Sequence, residues 1–223
     1  AAQSGMAPSP AQVFPDCDAL AAGRLLDADR WLRERLGGQP PALHRVSARL
    51  ASFGVTGVTD AGARNSPEEY RHFVKCTARG ELQQHLLVMG DASLDGAADT
   101  GIVRRGPTKI YLRESALPAP DDLCASIERS HAAARAVAMH CVTETELVFA
   151  VSALASAGSR PGDRIEHASV APPDVLSLLA EHGLTVVTQP NFVRERGDAY
   201  LADIPGREQP WLYRGRAFLE AGI

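Results

Sequence analysis

Aromatic residues are scarce, at 5% of 223 positions, so any core has to be built mainly from alanine, leucine and valine. No apolar run approaches the ~18 residues that a membrane helix needs, which excludes a helical membrane span. The four cysteines, Cys17, Cys76, Cys124 and Cys141, lie far apart and form no CxxC pair. That argues against a disulfide framework and for a reduced, cytoplasmic protein. The N-terminus lacks the basic start and apolar stretch of a signal peptide. No GxGxxG or GxxxxGK[ST] follows any strand pattern, which weakens a nucleotide-binding reading. A net charge of −4 gives no general pull toward nucleic acid or membrane surfaces. Neither nucleic acid nor a membrane is therefore an expected partner, and a homo-oligomer is compatible.

What is present is an alternation of strands and helices. With 45% apolar residues the chain can bury a sizeable core. Residues 1–41 read as an irregular accessory segment holding a short helix at Asp27–Arg33, and residues 42–223 as the main domain. Within the latter, strand patterns start near positions 55, 85, 108, 137, 164 and 184. Helices are expected from Leu43 to Phe53, from Ser66 to Arg79, from about Asp121 to Ala136, from Glu144 to Ala157, from Pro172 to Glu181, and from Trp211 to Glu220. Ser66 and Glu69 form a capping box at the second of these. Strands at this spacing, alternating with helices, indicate parallel βαβ units. Doubly wound sheets and (β/α)8 barrels share that signature, and a full barrel needs eight strands and ~250 residues. An incomplete α/β barrel of the TIM type, with about six to seven βα units, is the expected fold. The chain lacks an initiator methionine, and Phe218–Ile223 reads as a helix end, a glycine cap and the first residue of another strand. Both ends are therefore expected to be truncated.

The chemistry is expected where strands end, because active sites of such sheets lie at the carboxyl ends of the strands. His140 closes the run Val137-Ala138-Met139, and His167 closes Arg164-Ile165-Glu166. Two imidazoles on one rim suggest a metal site, since neutral imidazole is the commonest zinc ligand. Lys109 opens the strand Lys109-Ile110-Tyr111-Leu112; it either snorkels, bridges metals as a carbamate, or acts as a Schiff-base nucleophile. Asp60 ends its strand and either orients a ligand or caps the next turn. Gln189 ends another strand and is a candidate substrate-binding residue. Glu166, adjacent to His167, is expected to point to the opposite face and to pair with Arg164 or Arg135. The remaining histidines, His44, His72, His85, His131 and His182, are read as structural.

Several segments resemble the amidohydrolase superfamily, specifically its amidohydrolase-3 (YtcJ-like) branch. Gly54-Val55-Thr56-Gly57-Val58-Thr59-Asp60-Ala61-Gly62 is similar to its "GVTTVxDAG" strand, and Lys109-Ile110-Tyr111-Leu112 to its "VKIxxDG" strand, with Arg113-Glu114 replacing the acidic-glycine step. Val137–Cys141 resembles "VAxHA", Asp163–Ala168 "xRIEHA", and Val187–Phe192 "VxxQPxF". The resemblance runs from about Ala42 to Ile223 and implies a metal-dependent hydrolase acting on amide or other non-peptide C–N bonds of a small-molecule substrate. It implies His140 and His167 as metal ligands and Lys109 as a carboxylated bridging ligand. These would hold zinc or a similar divalent metal, mono- or binuclear. The family's first-strand HxH pair is missing, and the sequence ends before its "SDxP" aspartate. The isolated polypeptide is thus expected to be inactive and to bind metal poorly. Two alternatives stay open: a class I aldolase-like barrel with an imine on Lys109, and a non-catalytic α/β remnant.

Overall fold

The computed structural model describes Leu32, Arg35, Leu36 and residues 41–223. The expected 1–41 segment and its Asp27–Arg33 helix lie outside the described residues, apart from Leu32. The chain divides into two compact units, and all that follows concerns Leu43–Ile223.

Six strands form one sheet in sequential order, and every neighbouring pair is parallel. They are β1 (Gly57–Asp60), β2 (His85–Gly90), β3 (Val103–Tyr111), β4 (Val137–Cys141), β5 (Arg164–His167) and β6 (Thr185–Val187). The helices are α1 (His44–Ser52), α2 (Pro67–Ala78), α3 (Pro120–Ala132), α4 (Glu144–Ala157), α5 (Pro173–Glu181), α6 (Asn191–Asp203) and α7 (Gly215–Glu220). A parallel, sequentially ordered sheet with an α-helix after every strand but β2, which is followed by a 3-10 turn at Ala92–Leu94, is an incomplete (β/α) barrel, as the periodicity predicts.

Local chemistry accounts for most boundaries. Ser66 and Glu69 make the expected capping box at α2, with Pro67 in the first turn. A second box, Thr143 with Glu146, opens α4 directly after β4. It is reinforced by the buried Glu146 carboxylate, which accepts from the backbone N–H of Val142 and of Glu114 at 2.7 and 2.8 Å. These bonds lock the loops after β3 and β4 together.

Strand alternation splits the side chains into two sets. Val137, Met139 and Cys141 of β4, with Ile165 of β5, face the helices and join Leu123, Ile127, Leu147, Val151, Leu154 and Leu179 in the main core. A second cluster, Tyr70, Cys76, Leu86, Val88, Leu94 and Val103, packs α2 on β2 and β3. Lys109, Tyr111, Ala138, His140, Arg164 and Glu166 lie on the other face of the sheet, the inside of the barrel.

Three expectations need correction. β3 starts at Val103 rather than Thr108, so Lys109 lies near the carboxyl end of its strand instead of opening it. The pairing with β2 shifts register between Val88 and Gly90, opposite Gly106-Pro107. Proline donates no ladder hydrogen bond and is tolerated at such a bulge, and this hid the first half of the strand. α3 ends at Ala132, because Ala134 turns left-handed at φ 56° and Arg135 N–H bonds back to Ser130. Near the C-terminus, α6 was not expected, and the expected Trp211–Glu220 helix is only α7, preceded by a 3-10 turn at Gln209–Trp211. No residue of α6 is buried, so its sequence carries no apolar stripe to reveal it.

Candidate active site

The two histidines meet. Their ring centroids lie 4.5 Å apart at an interplanar angle of 75°, edge toward face, and both side chains are half-buried. The register pairs Cys141 with His167 and His140 with Glu166, so simple alternation would put His167 on the helix side with Cys141. The backbone overrides it. His167 has φ 73° and Ala168 φ 45°, two consecutive left-handed residues that break the strand and swing the imidazole inward. Each such non-glycine residue costs on the order of 1 kcal/mol or more, so the surrounding contacts must hold the bend.

Glu166 therefore also faces inward, contrary to the expectation that it points away. It pairs with Arg164, Nε to Oε1 2.7 Å, which is one of the two partners expected, and with Lys109, Nζ to Oε1 3.9 Å. Arg135 instead binds Asp95 at 2.6 Å and the carbonyls of Gly90, Asp91, Gly106 and Pro107, clamping the β2 exit to the β3 bulge. Lys109 and Glu166 are almost wholly buried. Burial lowers the Lys109 pKa below the usual lysine range, the Glu166 charge works against that shift, and the Arg164 charge adds to it. Burial likewise holds the His140 pKa down to about 4, assisted by the charges of His167, Lys109 and Arg113. His140 is thus a neutral base at physiological pH. Cys141, buried on the helix side beside Glu146, has its thiol pKa raised well above the ordinary range and is inert.

The mouth of the site carries an aromatic shelf that the sequence reading missed. Tyr111 is half exposed and stacks on His140, with centroids 4.2 Å apart and planes at 19°. The Arg113 guanidinium lies 5.2 Å above the tyrosine ring. Tyr111 stands two residues beyond Lys109 on the same strand, so alternation could have placed it there. A separate groove of about 890 Å³ lies between Leu117, Thr143, Val148, Phe149, Val170 and Ile204 among others, with neither histidine nor Tyr111 in its lining.

The remaining candidates divide. Gln189 comes to the histidines: its Oε1 is 2.6 Å from His167 Nδ1. Asp60 bonds within its own turn, its Oδ1 accepting from Gly62 N–H at 2.9 Å and from the Asn65 amide at 2.6 Å. That is the turn-capping geometry, and among the described residues Asp60 makes no hydrogen bond to either histidine. Of the histidines read as structural, His131 Nε2 lies 3.0 Å from the buried Asp163 carboxylate, a contact that braces α3 against the start of β5.

Two imidazoles meeting edge-on, one of them held neutral, are a donor set that a zinc-type ion accepts, so these residues fit such an ion. No group of three or more His, Cys, Asp or Glu is arranged to hold a metal among the described residues. The donors present amount to part of a site.

Solved structures share this architecture. An uncharacterized metal-dependent hydrolase from Pyrococcus furiosus superposes with a TM-score of 0.73 at 17% identity, over 88% of this chain and 48% of that one. An uncharacterized metal-dependent hydrolase from Pyrococcus horikoshii OT3 gives 0.67 at 18% identity, over 80% and 42%. Zinc-bound atrazine chlorohydrolase TrzN from Arthrobacter aurescens TC1 gives 0.55 at 14% identity, over 92% and 51%. The likeness is one of fold. The chain spans about half the length of these structures. No family model and no curated protein sequence matches it. Among the described residues no helix is long and apolar enough to cross a membrane.

Proposed function

We propose that this chain is part of a metal-dependent hydrolase of the amidohydrolase type, of the amidohydrolase-3 branch, acting on amide or other non-peptide C–N bonds of a small molecule. The observation that carries the proposal is the meeting of the His140 and His167 rings on the inner rim of a parallel half-barrel. The barrel fold shared with metal-dependent hydrolases supports it. His140 and His167 would hold a zinc-type ion. Such an ion supplies Lewis-acid polarisation of a carbonyl and makes water a stronger nucleophile near neutral pH.

The chain's own residues do the rest. Burial keeps His140 unprotonated, so its lone pair is available for ligation across the physiological range. Lys109, Glu166 and Arg164 lie on the same inner face of the sheet as His140 and form a charged cluster there. Tyr111 fixes the plane of the His140 ring by stacking on it, and with Arg113 it presents an aromatic, cationic lip to an incoming substrate.

With two imidazole donors among the described residues, the 223-residue polypeptide is expected to bind zinc weakly and to hydrolyse amides slowly. Calorimetric titration of zinc into the wild-type chain, His140→Ala and His167→Ala tests the proposal. A single weak site lost in either variant supports it. Binding that survives both substitutions, or high affinity with normal amide turnover, would sink it.

One observation favours a second reading. Lys109 is buried with a lowered pKa, as a Schiff-base nucleophile requires. Borohydride trapping of an aldehyde or ketone on Lys109, insensitive to chelators, would establish that chemistry in place of the hydrolase.

A further inference from the structure

Gln189 is separated from His167 by 22 positions, yet its side-chain oxygen lies 2.6 Å from His167 Nδ1. An amide oxygen only accepts, so at this distance the hydrogen between the two atoms belongs to the imidazole. Nδ1 is then the protonated nitrogen, and Nε2 keeps its lone pair. This contact falls where the backbone needs support. His167 and Ala168 are both left-handed, and β5 ends with the His167 side chain swung off the helix side. Ala168 N–H bonds back to the Glu166 carbonyl at 3.1 Å, a tight turn that fixes the main chain but leaves the imidazole free to rotate. Among the described residues, the one side-chain hydrogen-bond partner of that ring is Gln189. On its other side the ring meets His140 edge to face at 4.5 Å, a contact that discriminates poorly between the two tautomers.

We propose that Gln189 is the positioning residue of His167. It fixes the Nδ1–H tautomer and the ring orientation, so that Nε2 is the nitrogen offered beside His140. This assigns the side-chain oxygen of Gln189 to the protein's own imidazole and not to a substrate. The consequence for metal binding rests on the hydrolase reading; the tautomer assignment does not. Free imidazole leans toward the other tautomer, so without the glutamine the ring would present the wrong nitrogen for much of the time. Partners that orient a ligating histidine typically matter ten- to a hundredfold in metal affinity.

The test uses the full chain without added metal. Nitrogen-15 correlation spectra of the histidine rings at pH 7.5 report which ring nitrogen carries hydrogen. In the wild type His167 is expected as Nδ1–H, in Gln189→Leu as a mixture or predominantly Nε2–H, and in Gln189→Glu again as Nδ1–H. Circular dichroism and the unchanged His131 signals confirm that each variant is folded; should Gln189→Leu fail to fold, Gln189→Met and the wild-type spectrum carry the test. His167 found as Nε2–H in the wild type, or unaltered by loss of the amide, overturns the proposal. Zinc titration of the same samples then separates the two claims. A roughly 10–100-fold weaker site in Gln189→Leu, recovered in Gln189→Glu, supports both. The expected tautomer pattern with no zinc binding at His140 and His167 in any sample would leave Gln189 as the positioning residue and defeat the hydrolase reading.

Discussion

Replacing Glu166 with glutamine removes a charge but hardly any volume, and so isolates the electrostatics beneath the histidines. In the wild type, Glu166 Oε1 lies 3.9 Å from Lys109 Nζ, and the two side chains are 6% and 5% exposed. Arg164 binds the same oxygen at 2.7 Å. Glu166→Gln therefore leaves one buried and one partly buried cation without their anion. Breaking one partner of a buried pair costs roughly 3–5 kcal/mol. For a domain of this size each kcal/mol moves Tm by roughly 2–4 °C, so a fall of roughly 6–20 °C is expected. The pH dependence gives the sharper signature. Lys109 is already lowered by burial, and loss of the carboxylate that raises it lowers it further. Between the folded pKa and the unfolded value of 10.5 the unfolded chain holds more protons, so stability rises with pH in that window. The variant's deficit should be largest near neutrality and shrink toward pH 10. Urea unfolding followed by circular dichroism from pH 7 to 10 measures it. A deficit below about 0.5 kcal/mol that stays constant over that range would refute the reasoning, because surface pairs are worth that little.

Four further outcomes follow. His140 has its pKa lowered to about 4 from 6.5, so the unfolded state binds more protons between those values. Stability should fall by roughly 1–3 kcal/mol on acidification from pH 6.5 to 4, with the slope reduced in His140→Asn; denaturant midpoints at each pH check this. A Cβ at Gly90 would overlap the Asn65 carbonyl oxygen and the Leu94 side chain. Gly90→Ala should therefore cost about 1–3 kcal/mol in thermal unfolding, since the backbone cannot yield as a side chain would. Thr143→Ala removes one half of the α4 capping box and should cost about 1 kcal/mol by the same assay. Asp163 is fully buried and accepts from Val137 N–H, Arg160 N–H and His131. Asp163→Ala should destabilise by about 3 kcal/mol or more in chemical unfolding, because it strands buried donors at the starts of β4 and β5.

The parts of this molecule governed by short-range rules were legible in its sequence. Alternating apolar runs marked six strands, and Ser66 with Glu69 marked the start of α2. The position of His140 at a strand exit placed it near the carboxyl end of the sheet. What escaped depended on geometry that periodicity does not encode. Glu166 was assigned to the wrong face because alternation holds only while the backbone stays extended, and the left-handed His167 and Ala168 end that extension. The first half of β3 was hidden because Gly106-Pro107 reads as a turn although it forms a bulge. α6 was hidden because its face is polar and Gly197 interrupts it. The link from Gln189 to His167 joins neighbouring strands, and only the fold brings the two side chains together.

The claim on which the account depends is that His140 and His167 grip one ion, and zinc-soaked crystals would test it most directly. An anomalous difference map should show one peak, about 2.0–2.1 Å from a single nitrogen of each ring, with Nε2 the donor on His167. Zinc found only elsewhere in such crystals, or the two side chains turned apart in a zinc-containing structure, would contradict it.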